Sequence, residues 1–202
     1  MAKSFPEHRL TYSELRQHLT PENIKPIQII QLSLVSGLVI VGALVILLYY
    51  NIEPSQDHTV SDILFLVQIL TLVHIMFAVP MYILSPIFLK KLVSKDRLSK
   101  IPDDTVSSTA HTEMNQAGMN QAEKCLFMIR SAIIVRSAMY EGVAFFGLTI
   151  CLLGAAKGIL QSHTVYWVNA FSTIAALWLM LKTYPSRDMI LETCRKAKLF
   201  VS

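Results

Sequence analysis

Four long apolar segments constrain the fold of this chain more than any other feature of its 202 residues. They cover residues 27–50, 61–89, 126–156 and 163–181, and the first contains no charged side chain. A helix needs about 20 mainly apolar residues to cross a bilayer, where its backbone must satisfy its own hydrogen bonds. The sequence therefore predicts an all-α protein with a four-helix transmembrane bundle over residues 27–182.

The composition of the chain agrees with a membrane location. Charged residues make up 16% of the sequence and hydrophobic residues 53%, whereas a soluble domain carries roughly 25% charged residues. The net charge is +4, and Lys and Arg are concentrated beside the apolar segments. This distribution is typical of membrane topology, so we expect the lipid bilayer as a partner and no nucleic acid.

The basic residues also predict an orientation. Residues 1–26 carry four Lys or Arg and residues 90–125 carry six, whereas the connection 51–60 carries none and the connection 157–162 carries one. Short loops rich in Lys and Arg stay on the cytoplasmic side of a membrane. We therefore expect both termini and the loop 90–125 to be cytoplasmic, and the two short connections to face outward.

The cytoplasmic N-terminal segment, residues 1–26, contains two signals for helix starts. "TYSE", which begins at Thr11, fits a capping box and predicts a short helix from Tyr12 to about His18. "TPEN" places Pro21 at the first position of the next helix, where proline is favoured. A short helix is thus expected before the first span.

The central loop and the tail are predicted to contain further helices. The polar loop 90–125 reads as a helical lead into the third span, loosened at Gly118. The cytoplasmic tail, 183–202, predicts a basic amphipathic helix that lies at an anionic membrane surface. The predicted apolar side of that helix consists of Met189, Ile190, Thr193, Cys194 and Ala197.

Three charged residues lie in the third span: Arg130 near its cytoplasmic end, and Arg136 and Glu141 further along. Arg136 and Glu141 are five residues apart, which separates them by about 140° on a helix and disfavours an ion pair between them. Arg136 lies near the cytoplasmic boundary, and its long stem favours an interfacial anchor that reaches out to water. Glu141 is deeper and shorter, so it is the stronger candidate for a functional group or for a structural hydrogen bond to another helix.

Mostly small residues form one face of the third span. Small side chains let helix backbones approach closely in lipid, so this face is predicted to pack against the other spans. It consists of Ser137, Tyr140, Ala144, Gly147, Cys151, Gly154 and Gly158.

Polar groups in the first two spans are candidate partners of Glu141. Ser33, Ser36 and Tyr82 are expected at a similar depth, and His74 lies nearer the middle of the membrane. A polar track from Asp62 through His74 to Glu141 is one interpretation, because histidine can carry protons near neutral pH. The other is that His74 is a buried side chain whose hydrogen bonds are satisfied within the bundle.

Sequence motifs for enzymes and cofactor sites are not found in this chain. It contains no HExxH, GxSxG, P-loop or GxGxxG pattern, and its three cysteines form no CxxC pair. We therefore predict no catalytic residues, no cofactor, no metal site and three free thiols.

Two parts of the sequence resemble known membrane proteins. "MYEGVAFFGLTICLLG", residues 139–154, resembles the carboxylate-bearing helix of rotary ATPase proteolipids, which implies that Glu141 carries an ion. The third span with its acidic residue, followed by "LKTYPSRD" after the fourth, resembles small bacterial inner-membrane proteins with four spans. That resemblance implies a location in the bacterial inner membrane and no particular activity.

Two classes of function are compatible with these features. The first is a non-enzymatic accessory, assembly or scaffold component that packs against another membrane protein or a second copy of itself. The small-residue face and the lack of catalytic motifs favour it. The alternative is proton or cation transport that uses the intramembrane carboxylate of Glu141.

The predicted topology can be tested by cysteine labelling. Single cysteines that replace Gln56 and Gln161 should react with a membrane-impermeant reagent added outside intact cells. Labelling that requires permeabilisation of the membrane would contradict the predicted orientation.

Overall fold

The computed structural model describes residues 11–53, 59–94, 121–197 and 199. Within these ranges every regular element is a helix and no strand occurs, which confirms the all-α prediction. In chain order the elements are α1 (Tyr12–His18), α2 (Pro21–Asn51), α3 (Thr59–Leu92), α4 (Gln121–Ala156), α5 (Ile159–Ser162), a 3₁₀ helix (Thr164–Trp167), α6 (Val168–Lys182) and α7 (Arg187–Lys196).

Four helical stretches are long and apolar enough to cross a membrane, as the sequence predicts. They are Pro21–Asn51, Ser61–Leu92, Ala122–Ala156 and Thr164–Lys182. In the most apolar 18-residue stretch of the third span, half of the residues are buried within the protein. The corresponding shares are 11% in the first span and 17% in the second. The third span is therefore the most buried of the four, and the first two leave most of their apolar surface for lipid.

The fold divides into two compact units, of which the first consists of residues 1–28, 88–133 and 185–202. Its described part begins at the capping box: the Glu14 carboxylate accepts the Thr11 N–H at 2.9 Å, and the Glu14 N–H donates to Thr11 Oγ1 at 3.3 Å. These bonds start α1 and place Leu15, which is fully buried, in an apolar core. The predicted capping box and short helix are confirmed.

The tail helix α7 packs its apolar side into that same core. Ser186 caps the helix by accepting the Met189 N–H at 3.2 Å. Ile190 and Cys194, which belong to the predicted apolar side, are fully buried, and Leu191 is buried beside them. This side therefore faces the protein core, and the expectation that it lies at the membrane surface is wrong. Two further contacts hold the tail, because Arg187 Nη2 donates to the Arg16 carbonyl at 2.7 Å and Gln28 Nε2 donates to the Pro185 carbonyl at 2.9 Å. Gly118 lies outside the described residues.

The second unit consists of residues 29–87 and 134–184 and contains the interior of the four-helix bundle. The connection after α4 turns at Gly158, whose φ of 68° is a left-handed conformation that glycine adopts without strain. Because α4 ends at Ala156, Gly158 is not part of the continuous helix face that the sequence suggests. After this turn lies Gln161, whose Nε2 donates to the Tyr49 and Ile52 carbonyls at 2.7 and 3.0 Å.

The core of the first unit yields a stability prediction. Ile190→Ala should destabilise the docked tail by about 2–5 kcal/mol, because it removes a fully buried side chain, and should speed the alkylation of the buried Cys125 and Cys194 thiols. The matched control is Glu192→Ala on the exposed side of α7, which should change stability by less than about 0.5 kcal/mol. Equal alkylation rates in the two variants would contradict this account of the core.

Candidate functional site

A buried polar layer crosses the second unit at His74. His74 Nδ1 lies 2.8 Å from Asn169 Oδ1, and His74 Nε2 lies 3.2 Å from the Val143 carbonyl oxygen. Both oxygens are acceptors, so both contacts are hydrogen bonds only when the imidazole carries two protons. The neutral ring satisfies one of them, and the shorter contact to Asn169 is the better candidate.

Asn169 is the residue that ties this layer together. Its Nδ2 donates to Thr71 Oγ1 at 2.9 Å and to the Tyr166 carbonyl at 3.0 Å, which fixes the amide with its oxygen toward His74. Ser172 Oγ donates to the Asn169 carbonyl at 2.8 Å. Asn169 is fully buried. The sequence shows it only as an isolated amide in an apolar segment, and its central role depends on partners about one hundred residues away.

Gly147 makes the close approach of the helices at this layer possible. A Cβ atom on Gly147 would lie 2.6 Å from Ser172 Oγ and 2.8 Å from His74 Cε1, and it would also collide with the Asn169 carbonyl oxygen. The other helical members of the predicted packing face are buried as well. They are Ser137, Tyr140, Ala144, Cys151 and Gly154.

Glu141 lies away from the polar layer, on the outer side of α4. It is half-buried, and no hydrogen bond or ion pair joins it to any of the described residues. On the helix it lies about 160° from Val143, whose carbonyl faces His74. The predicted track from Asp62 through His74 to Glu141 is therefore not formed.

Two of the predicted partners of Glu141, Tyr82 and Ser36, have other hydrogen-bond partners. Tyr82 donates its hydroxyl to the Ser172 carbonyl at 2.6 Å, and its ring stacks on Tyr140 with 5.7 Å between the centroids. Ser33 and Ser36 are exposed, and Ser36 Oγ donates to the Leu32 carbonyl of its own helix at 2.9 Å. The expectation that one of these groups bonds Glu141 is wrong, because Tyr82 and Ser36 bond other residues and Glu141 has no hydrogen bond to any described residue.

The burial of Arg136 contradicts its predicted role as an interfacial anchor. Only 8% of its surface is exposed, and its Nε and Nη2 are buried without a hydrogen-bond partner. The prediction of an interfacial anchor fails for a geometric reason. Arg136 is eleven residues before Gly147, which is close to three full helical turns, so both project from nearly the same side of α4 into the bundle.

The first unit contains a pair of thiols that the sequence does not reveal. Cys125 Sγ and Cys194 Sγ lie 3.6 Å apart, and both side chains are fully buried. The hydrogen bond with Cys125 and burial both raise the pKa of Cys194, so the thiol stays protonated and is a poor nucleophile. All three cysteines are free, as predicted. Within the described ranges no group of three metal-ligating side chains occurs.

Comparison with known proteins adds no relative to this picture. No protein-family model, curated protein or solved structure matches the chain. The local resemblances to proteolipids and to four-span bacterial proteins therefore stay predictions.

The contacts of Gly147 predict that alanine destabilises the bundle at position 147 but not at position 142. Gly147→Ala should lower the stability of the bundle by about 1–3 kcal/mol, because the new methyl group collides with backbone and buried side chains. Gly142→Ala is the matched control, since nothing lies within 4 Å of its added Cβ. The measurement is the melting temperature of both purified variants in the same detergent. A Gly147→Ala variant as stable as Gly142→Ala would show that the helices do not approach as described.

Proposed function

We propose that this protein is a non-enzymatic accessory, assembly or scaffold component of a bacterial inner membrane. In this proposal it docks on another membrane protein, or on a second copy of itself, through the α4 surface around Glu141. The observation that carries the proposal is a half-buried carboxylate on the outer side of a membrane helix, without a partner among the described residues.

The chemistry around Glu141 favours a helix as the missing partner. A charged or polar group that faces lipid is costly, and a hydrogen-bond donor on a neighbouring helix removes most of that cost. Ala138 and Gly142 are exposed beside Glu141, and the added Cβ of Gly142 would meet only open space. Such small side chains let a second helix come close enough to donate to the carboxylate.

The orientation proposed from the sequence fits the same role. With both termini cytoplasmic, the exposed Arg187, Arg195 and Lys196 of α7 would face the anionic inner leaflet. The apolar side of α7 is already covered by the core of the first unit. Charge attraction, and not insertion of α7 into lipid, would then draw the tail to the membrane surface.

Proton or cation transport is the second candidate function. Its support is His74, whose two ring nitrogens both face acceptor oxygens and so offer a place for a second proton. Glu141 lies on the opposite side of α4 from this ring. The two titratable groups therefore do not form one path among the described residues, and for this reason we favour docking.

Site-specific photocrosslinking tests the docking surface. A photoreactive residue in place of Gly142 should give a defined protein adduct in cells, whose mass separates a second copy of this chain from another protein. The control position is Ala43, an exposed small residue on α2. In this background Glu141→Gln should keep most of the adduct, because the amide still bonds, and Glu141→Leu should reduce it about threefold to twentyfold.

Two results would overturn the docking proposal. One is an adduct at Gly142 that is no stronger than at Ala43. The other is proton flux through purified protein in liposomes that Glu141→Gln abolishes without changing the melting temperature, since an amide cannot titrate. The second result would establish transport in place of docking.

A further inference from the structure

Three buried side chains in the second unit have polar atoms that no hydrogen bond satisfies. They are Gln31 with Oε1, Ser85 with Oγ, and Arg136 with Nε and Nη2. Each side chain is more than nine-tenths buried. None of them takes part in the docking surface around Glu141.

Helix geometry places these groups in one layer. Contacts near His74 put residues 74, 147 and 169 at the same level of α3, α4 and α6. Eleven residues further toward the opposite end of the bundle, these three helices reach Ser85, Arg136 and Met180. Eleven residues advance a helix by about 16 Å and turn it through almost three full turns, so the same side of each helix faces inward again. Gln31 joins the layer from α2, because its Nε2 donates to the Met180 carbonyl.

The charge in this layer is not compensated by any described residue. A guanidinium group stays protonated in proteins, so Arg136 cannot lower the cost of burial by losing its proton. Burial of an unpaired charge is strongly unfavourable. Arg136 makes no ion pair within the described ranges. An anion that enters the layer and bonds the guanidinium would lower this cost.

We propose that Arg136, Ser85 and Gln31 form a binding site for a phosphate group. Nε and Nη2 of Arg136 present two donors, the fork that suits two phosphate oxygens. The Ser85 hydroxyl supplies a third donor. Gln31 Oε1 is an acceptor, so the ligand also carries an O–H or N–H beside its phosphate. Hydrogen phosphate meets this requirement, and so does a phospholipid whose headgroup has a hydroxyl or ammonium group.

Two probes separate the sources of the phosphate. For the free ion, delipidated full-length protein is melted in inorganic phosphate and in chloride of equal ionic strength. For the lipid, the protein is reconstituted with phosphatidylglycerol or phosphatidylcholine, and the retained lipid is counted by native mass spectrometry. Phosphatidylcholine has no O–H or N–H for Gln31 and, unlike phosphatidylglycerol, no net charge, so the Lys182→Gln variant is needed to separate headgroup recognition from charge attraction. We expect a higher melting temperature in phosphate, selective retention of phosphatidylglycerol, or both.

Variants connect either response to this layer. Arg136→Gln should weaken the binding of the effective probe at least about tenfold, and Ser85→Ala about fivefold. Lys182→Gln removes an exposed cation two residues from Met180 on α6 and should leave binding unchanged. Ser85→Ala keeps the test decisive if Arg136→Gln does not fold, because the Ser85 hydroxyl has no described partner to lose.

The proposal fails on any of three outcomes. The first is that neither probe changes the melting temperature or the retained lipid, which would mean that ordered water fills the layer. The second is that Lys182→Gln weakens binding as much as Arg136→Gln, which would indicate unspecific charge attraction. The third is that Ser85→Ala and Arg136→Gln bind the effective probe as tightly as the unmodified protein.

Discussion

The bundle depends on the hydrogen bonds of Asn169, because a buried amide in an apolar interior must find partners for its donors and its acceptor. Its Nδ2 bonds Thr71 and the Tyr166 carbonyl, and its Oδ1 meets His74. These bonds fix the relative rotation of α3 and α6. They also require α4 to pass close by, which it does at Gly147. A substitution of Asn169 would therefore affect the packing of three helices, α3, α4 and α6.

The layer of Arg136 differs from the layer of Asn169 in its degree of satisfaction. In the layer of Asn169, every side-chain polar group of Asn169 is paired within the protein. In the layer of Arg136, donors and an acceptor face inward without partners. Partly satisfied polar groups destabilise a buried site unless something else completes them. This contrast supports a ligand for the layer of Arg136 and a structural role for the layer of Asn169.

Glu141 and Arg136 show that two residues close in sequence can have different roles when they project from different sides of one helix. They are five residues apart in α4, yet one side chain is buried in the bundle and the other lies on its outer side. Their opposite charges do not neutralise each other, because the helix holds them about 140° apart. Each charge therefore requires its own partner. We propose a phosphate group as the partner of Arg136 and a neighbouring helix as the partner of Glu141.

The sequence by itself determined the all-α class, the four spans and the capped helix α1, because apolar length and capping residues act locally. It also indicated the helical tail and the small-residue face of α4. Only the tertiary structure decided which polar groups meet. His74 pairs with Asn169 and not with Glu141, Cys125 adjoins Cys194, and Arg136 is buried. The physical reason is that helix rotation depends on packing against neighbours distant in sequence, and a single helix wheel contains no information about those neighbours.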